Sequence, residues 1–180
     1  MCKDPCHESP ALKNGFALWE KGLWRLCFYG FLVVGAAGVY AVSPLGGATY
    51  AALSLVGLFA VVLPSLCSHC PYPTRYRDCL FLPPRLVRAL YPFRGPRMSR
   101  AEGLRFLGVT LAMIAAPHLW LLGRPDWLLA FWAFALPVLV AFPLYYCRRC
   151  RHFGCPANRV PGAERRQALA ADPGSCPEGR

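Results

Sequence analysis

Apolar residues along this chain fall in long unbroken blocks. No Asp, Glu, Lys or Arg occurs between Arg25 and Arg75. At a rise of ~1.5 Å per residue that stretch is enough for two spans of ~20 residues and a short turn. The pattern places the turn at "SPLGG", residues 43–47. A second uncharged block, residues 106–123, is followed by "RPD" at residues 124–126 and by a third block, residues 127–147. Backbone polar groups cannot stay unpaired in hydrocarbon, so blocks this long are helical. The pattern predicts an all-α membrane protein with four transmembrane helices in two hairpins.

Six segments follow. Residues 1–25 form an N-terminal segment, 26–70 the first hairpin, 71–105 a basic loop and 106–150 the second hairpin; residues 151–161 carry a cysteine motif and 162–180 a small, polar tail expected to be flexible. The loop stretch "LPPRLVRALYPFRGPRMSR" mixes apolar side chains with arginine and proline, as a segment lying on lipid headgroups would.

Composition agrees with this picture, with 56% hydrophobic and only 16% charged residues. Nineteen of the 20 basic residues precede the first block, lie between the hairpins or follow the last block, and only Arg124 falls on the other side. The positive-inside rule then puts both termini and the central loop in the cytoplasm of a prokaryotic cell, with short turns outside. The N-terminal segment up to Arg25 holds no apolar core of a signal peptide, so the first helix is expected to be an uncleaved anchor. The net charge of +11 is accounted for by topology and anionic lipid, and calls for no nucleic acid.

The chain repeats itself. "EKGLWRL" and "AEGLRFL" each lead into a hairpin, the first carrying Gly22 and the second Gly103. The hairpins end on "LPSLCSHC" and "FPLYYCRRC", where Pro64 answers to Pro143 and Cys67 to Cys147. These three landmarks recur at nearly one offset, which points to a duplicated hairpin, both copies beginning inside. Each proline is expected to loosen its helix near the interface.

The two ends therefore deliver C-x2-C pairs to one face: Cys67 and Cys70, with Cys79 following, and Cys147 and Cys150, with Cys155 following. Cys2 and Cys6 lie near enough to the first helix to fold back onto that face, whereas Cys27 and Cys176 are set apart. A reducing cytosol argues against disulfides, and C-x2-C pairs there bind metal or do redox work. Cys2, Cys6, Cys67, Cys70, Cys79, Cys147, Cys150 and Cys155 are thus candidate ligands for two four-cysteine sites, with His69 or His152 able to replace a thiol around zinc. Spacing alone does not separate zinc from an iron–sulfur cluster. The Cys70-Pro71 and Cys155-Pro156 pairs lean slightly to the cluster.

The ending "CRRCRHFGCPANRVP" resembles that of small uncharacterised prokaryotic four-helix membrane proteins that close on C-x2-C, an aromatic residue, C-P-x-N and V-P. "CSHCPYPTRYRDC" is similar to their middle-loop motif, with a longer gap before the last cysteine. The resemblance implies that Cys147, Cys150, Cys155 and Asn158 act together, and it carries no established activity.

Enzyme readings fare less well. The layout resembles that of membrane palmitoyltransferases, but "CSHC" is not their Asp-His-His-Cys motif. A dithiol oxidoreductase is the better alternative, since C-x2-C and neighbouring arginines lower a thiol pKa. A soft-metal-ion carrier is a third, although the uncharged blocks hold no charged residue to mark an ion path. His118, between Pro117 and Leu119, is expected to bond a neighbouring helix. The sequence thus predicts a membrane-anchored, cysteine-ligated iron–sulfur or zinc protein serving electron transfer or a complex. Its expected partners are the lipid bilayer and a soluble or membrane redox protein, with the oligomeric state left open.

Overall fold

The computed structural model describes residues 12–155 and 157–171. These residues are helical, with no strand among them. Four helices are long and apolar enough to cross a membrane: α1 (Leu18–Val42), α2 (Pro44–Cys67), α4 (Arg100–Leu121) and α5 (Pro125–Tyr145). A short α3 (Pro84–Leu90) lies between the hairpins, and α6 (Gly162–Ala171) follows them. Large apolar side chains such as Val33, Leu53, Val56, Leu111 and Leu129 are exposed around the perimeter. In water that much apolar surface would drive association, whereas lipid solvates it.

The helices pack so that α1 lies against both α2 and α5, and α4 lies against α2. Phe28, Phe31, Val39, Leu58, Leu63, Leu121, Phe131 and Ala135 fill the space between them. His118 accepts a hydrogen bond from the Trp132 indole N–H at 3.1 Å and sets its ring edge-on to Phe131. The histidine therefore bonds across to the neighbouring helix through a side chain.

The first turn is tighter than the sequence suggests. α1 ends at Val42 and α2 begins at Pro44, so in "SPLGG" only Ser43 connects and the remainder starts the helix. Ser43 is an N-cap whose hydroxyl accepts from Gly46 N–H at 3.1 Å, and Pro44 takes the first helical position, where no amide partner is needed. Gly47 then lets the helices touch, since a Cβ there would stand 2.4 Å from the Tyr40 Cα. α1 also starts earlier than its apolar block: Leu18 opens it, and the Glu20 carboxylate accepts from the Ala17 N–H at 2.8 Å, satisfying one of the free amides at the helix start.

Both second helices of the hairpins contain a widened π-type turn, Leu58–Val62 in α2 and Pro137–Ala141 in α5. The two turns are offset along the chain by the same interval as Pro64 and Pro143, which follow them. Each proline lacks an amide hydrogen, so the α-helical register cannot continue through it. In α2 the Leu63 N–H reaches back to the Leu58 carbonyl. The next carbonyl, that of Phe59, accepts from the Tyr91 hydroxyl at 3.1 Å. Tyr91 thus supplies the hydrogen bond that Pro64 cannot. The prolines change the register, and the helices run on to Cys67 and Tyr145.

The tail expected to be flexible is helical over its first part, α6. Its "AERRQALAA" run is rich in strong helix formers, and Ala168 is buried.

Candidate functional site

α2 and α5 both lead into C-x2-C, and hairpin geometry sets these ends beside the starts of α1 and α4. Three stretches of irregular chain cover this end of the bundle. Residues 12–17 cross it first: Lys13 N–H donates to the Arg149 carbonyl at 2.9 Å, and the Lys13 carbonyl accepts from the Tyr72 hydroxyl at 2.8 Å. Phe16 N–H donates to Asp78 Oδ2 at 2.7 Å, and its ring packs on Tyr72 and Tyr146. Lys13 pairs with buried Glu20, and Lys21 pairs with Asp78 at 2.5 Å.

The loop after α2 turns back through a π-type turn, Tyr72–Tyr76, and through Arg77, the one non-glycine residue of the described chain with positive φ (50°). That reversal brings Cys79 onto the end of α2. There the Cys67 thiol hydrogen-bonds to the Cys79 sulfur. This bond, together with the amides of Leu82 and Phe81 and the positive charge of Arg25, holds the Cys79 thiol below its usual pKa. Arg25 itself is fixed by an Nε–H bond to the Leu80 carbonyl at 3.1 Å.

The loop after α5 is closed by Asn158. Its amide group donates to the carbonyls of Cys150 (2.9 Å) and His152 (3.0 Å), and its side-chain oxygen accepts from Val160 N–H (3.2 Å). Two acceptors on one side and a donor on the other leave only one orientation of this amide. Arg159 N–H adds a bond to the Cys147 carbonyl at 3.0 Å. The central loop packs on both cysteine loops. Arg94 N–H donates to the Ser68 carbonyl at 2.8 Å, and Gly154 lies so near Pro96 that a Cβ would fall 1.7 Å from its carbonyl oxygen.

The thiols of the two hairpins thereby come within electrostatic range of one another. Cys70 is close enough to Cys150 and Cys155 that their charges would repel, and Cys147 stands in the same relation to Cys150 and Cys155. Burial pushes the Cys70 thiol well above its usual pKa, with Cys150 adding to the effect. Burial raises Cys147 to about 12 and Cys150 to about 11, and raises Cys155 as well. Tyr72, beside Cys150, donates its hydroxyl to the Lys13 carbonyl at 2.8 Å and accepts from Arg151 N–H at 3.3 Å. His69 and His152, both buried, belong to the same layer.

The structure therefore brings together Cys67, Cys70, Cys79, Cys147, Cys150 and Cys155 from the predicted set. As placed, no three His, Cys, Asp or Glu side chains among the described residues are close enough together to hold a metal ion. Cys2 and Cys6 lie outside the described residues. Cys27 is set apart, buried against Phe142 and Tyr146. Tyr72, Asp78 and Arg25 also belong to the site, although nothing in the sequence beyond their nearness to cysteines marks them.

No protein-family model matches the chain, and neither a curated protein nor a solved structure matches it. A separate groove of about 710 Å³ between α2 and α4, lined by Tyr50, Leu53, Val109, Met113 and Trp120 among others, is almost wholly apolar. It offers no titratable cluster comparable to the thiol layer.

Proposed function

We propose that this protein is a membrane-anchored, cysteine-ligated metal protein, holding zinc or an iron–sulfur cluster at the cytoplasmic face and serving electron transfer or a partner complex. The observation that carries the reading is the approach of Cys70, from one hairpin end, to within electrostatic range of Cys150 and Cys155, from the other. Buried thiols that repel one another as thiolates are poor company in a protein without a cation, and a metal ion offsets both the desolvation and the repulsion. Binding would draw the loops closer than they are placed now, with Cys2 and Cys6 available as further ligands.

Two further features of the reading have support of their own. Duplication of the hairpin accounts for the matched π-type turns of α2 and α5 and for the exchanged packing of α1 on α5 and α4 on α2. A cytoplasmic thiol layer accounts for the crowding of basic residues at that end, with Arg124 paired to Asp126 at the other. Metal analysis and an absorption spectrum of the anaerobically purified full chain test the assignment. Stoichiometric zinc or iron is expected, and stoichiometric disulfide without metal would defeat it.

One observation favours a second reading, a membrane thiol–disulfide oxidoreductase. The hydrogen-bonded dithiol is Cys67 with Cys79, and Arg25 and two backbone amides favour the Cys79 thiolate. Such a pair, rather than either C-x2-C, would exchange with a disulfide substrate: the Cys79 thiolate attacks one sulfur, the other leaves as thiolate, and Cys67 resolves the mixed disulfide. A reversible two-electron couple in metal-free protein, lost in Cys79→Ser, would select this reading.

A further inference from the structure

The central loop carries its charge without neutralisation. From residue 79 to residue 101 the chain holds no Asp or Glu and five arginines, Arg85, Arg88, Arg94, Arg97 and Arg100. All of them are exposed. Arg94 alone approaches an acid, its Nη1 standing 3.8 Å from Glu102 Oε1. The side chains of Arg85, Arg88, Arg97 and Arg100 make no ion pair or hydrogen bond among the described residues.

The same stretch exposes apolar side chains at the depth of the bundle. Val87 faces inward, fully buried in the cluster that also holds Leu58, Val62 and Leu63 of α2. Tyr91, directly after α3, donates its hydroxyl to the Phe59 carbonyl at 3.1 Å. Phe59 lies ~12 Å short of the Cys67 end of α2 at a rise of ~1.5 Å per residue, so α3 leads into a contact alongside the spanning helix rather than beyond its end. Leu86 and Leu90, one turn apart on α3, are 44% and 52% exposed, and Phe93 is 46% exposed. Helical spacing puts Arg85 and Arg88 together on the opposite flank. An apolar flank, a cationic flank and an inward anchor between them describe a helix lying in the plane of a membrane interface.

We propose that residues 84–100 are a docking surface for anionic phospholipid in the leaflet on the thiol-bearing side, with Leu86, Leu90 and Phe93 entering the acyl layer and Arg85, Arg88, Arg97 and Arg100 taking headgroup phosphates. The inference rests on the four membrane-spanning helices and is independent of the metal reading. A guanidinium fork matches phosphate oxygens in pairs. A zwitterionic headgroup brings its own cation beside the phosphate, so arginines with no acids among them select lipids of net negative charge. An acidic soluble protein would answer the charge but not the apolar flank, which the Tyr91 bond holds beside α2.

The test is native mass spectrometry of the full chain in detergent, given equal amounts of phosphatidylglycerol and phosphatidylcholine with identical acyl chains. Wild type should retain phosphatidylglycerol at least ~10-fold in preference, and added salt should reduce that preference. Arg85→Gln combined with Arg88→Gln should cut it at least ~5-fold, whereas Arg85→Lys combined with Arg88→Lys should keep most of it. Arg165→Gln combined with Arg166→Gln, the same change of charge on α6, should leave it intact. Leu86→Ser combined with Leu90→Ser should lower retention of both lipids. Equal retention of the two lipids by wild type would overturn the proposal and leave the arginines to an acidic protein. An equal loss in the α6 variant would overturn it too, by showing that net charge rather than this surface selects the lipid. Displacement of phosphatidylglycerol by millimolar inorganic phosphate would assign the arginines to a soluble anion instead. Should the double glutamine variant fail to fold, Arg97→Gln, in the irregular chain after α3, reads the same surface, and an unchanged preference there contradicts the proposal.

Discussion

Asn158 shows how one side chain can set the shape of the site. It makes three hydrogen bonds inside the loop that carries Cys150 and Cys155. At about 1 kcal/mol each, Asn158→Ala should cost the loop about 2–3 kcal/mol. The helices should stay inserted, while alkylation of Cys150 and Cys155 in metal-free protein should quicken; unchanged alkylation would show that the loop is held otherwise. Asn158→Asp should fare little better, because a carboxylate cannot donate to the Cys150 and His152 carbonyls.

Asp78 does similar work in the other loop. Burial alone would raise its pKa, but hydrogen bonds from Lys21, Phe16 N–H and Cys79 N–H outweigh burial and lower it below the ordinary 3.8. A carboxylate depressed in the folded state contributes stability that is full above its unfolded pKa and fades as pH falls through the folded one. Protease resistance of residues 72–82 should therefore decline on acidification below about pH 4, near the unfolded value. Asp78→Asn should be more sensitive at neutral pH and show less of that decline.

At the scale of elements, the proline-induced π-type turns and their compensation give separate tests. Tyr91→Phe removes the hydroxyl that serves the Phe59 carbonyl, and should lower the unfolding free energy of the first hairpin by about 1 kcal/mol in detergent. Gly154→Ala should do more, since a methyl group cannot occupy a point 1.7 Å from the Pro96 carbonyl oxygen. Limited proteolysis should then cut faster in both residues 91–99 and residues 151–158, which only a shared contact explains.

The helices themselves were legible in the sequence, because long uncharged blocks leave the backbone no alternative in lipid. The connection at Ser43 was not, since Pro and paired Gly in "SPLGG" suggest a loop while Ser-Pro equally begins a helix. Similarly, "CxxC" spacing drew attention to Cys67 with Cys70, and the structure pairs Cys67 with Cys79 instead. That pairing depends on a left-handed residue at Arg77 and on the salt link from Lys21 to Asp78, neither of which has a local signature. Asn158 was marked only by its motif, and its role became clear from its three partners, Cys150, His152 and Val160.

On the scale of the whole molecule, two apolar hairpins place their cysteine-bearing ends side by side, with residues 12–17 strapped across both. A cysteine introduced at Asp126 should react with an impermeant thiol reagent on intact cells, while Cys70, Cys147 and Cys150 should not; the reverse pattern would invert the orientation. If the two ends build one shared metal site, the decisive quantity is metal content per chain in Cys70→Ser, Cys150→Ser and the double mutant, each purified anaerobically beside wild type. Shared ligation predicts that either single change removes that metal in full and that the double mutant loses no more. Unchanged metal in both single variants, or separate losses that add in the double mutant, would contradict it.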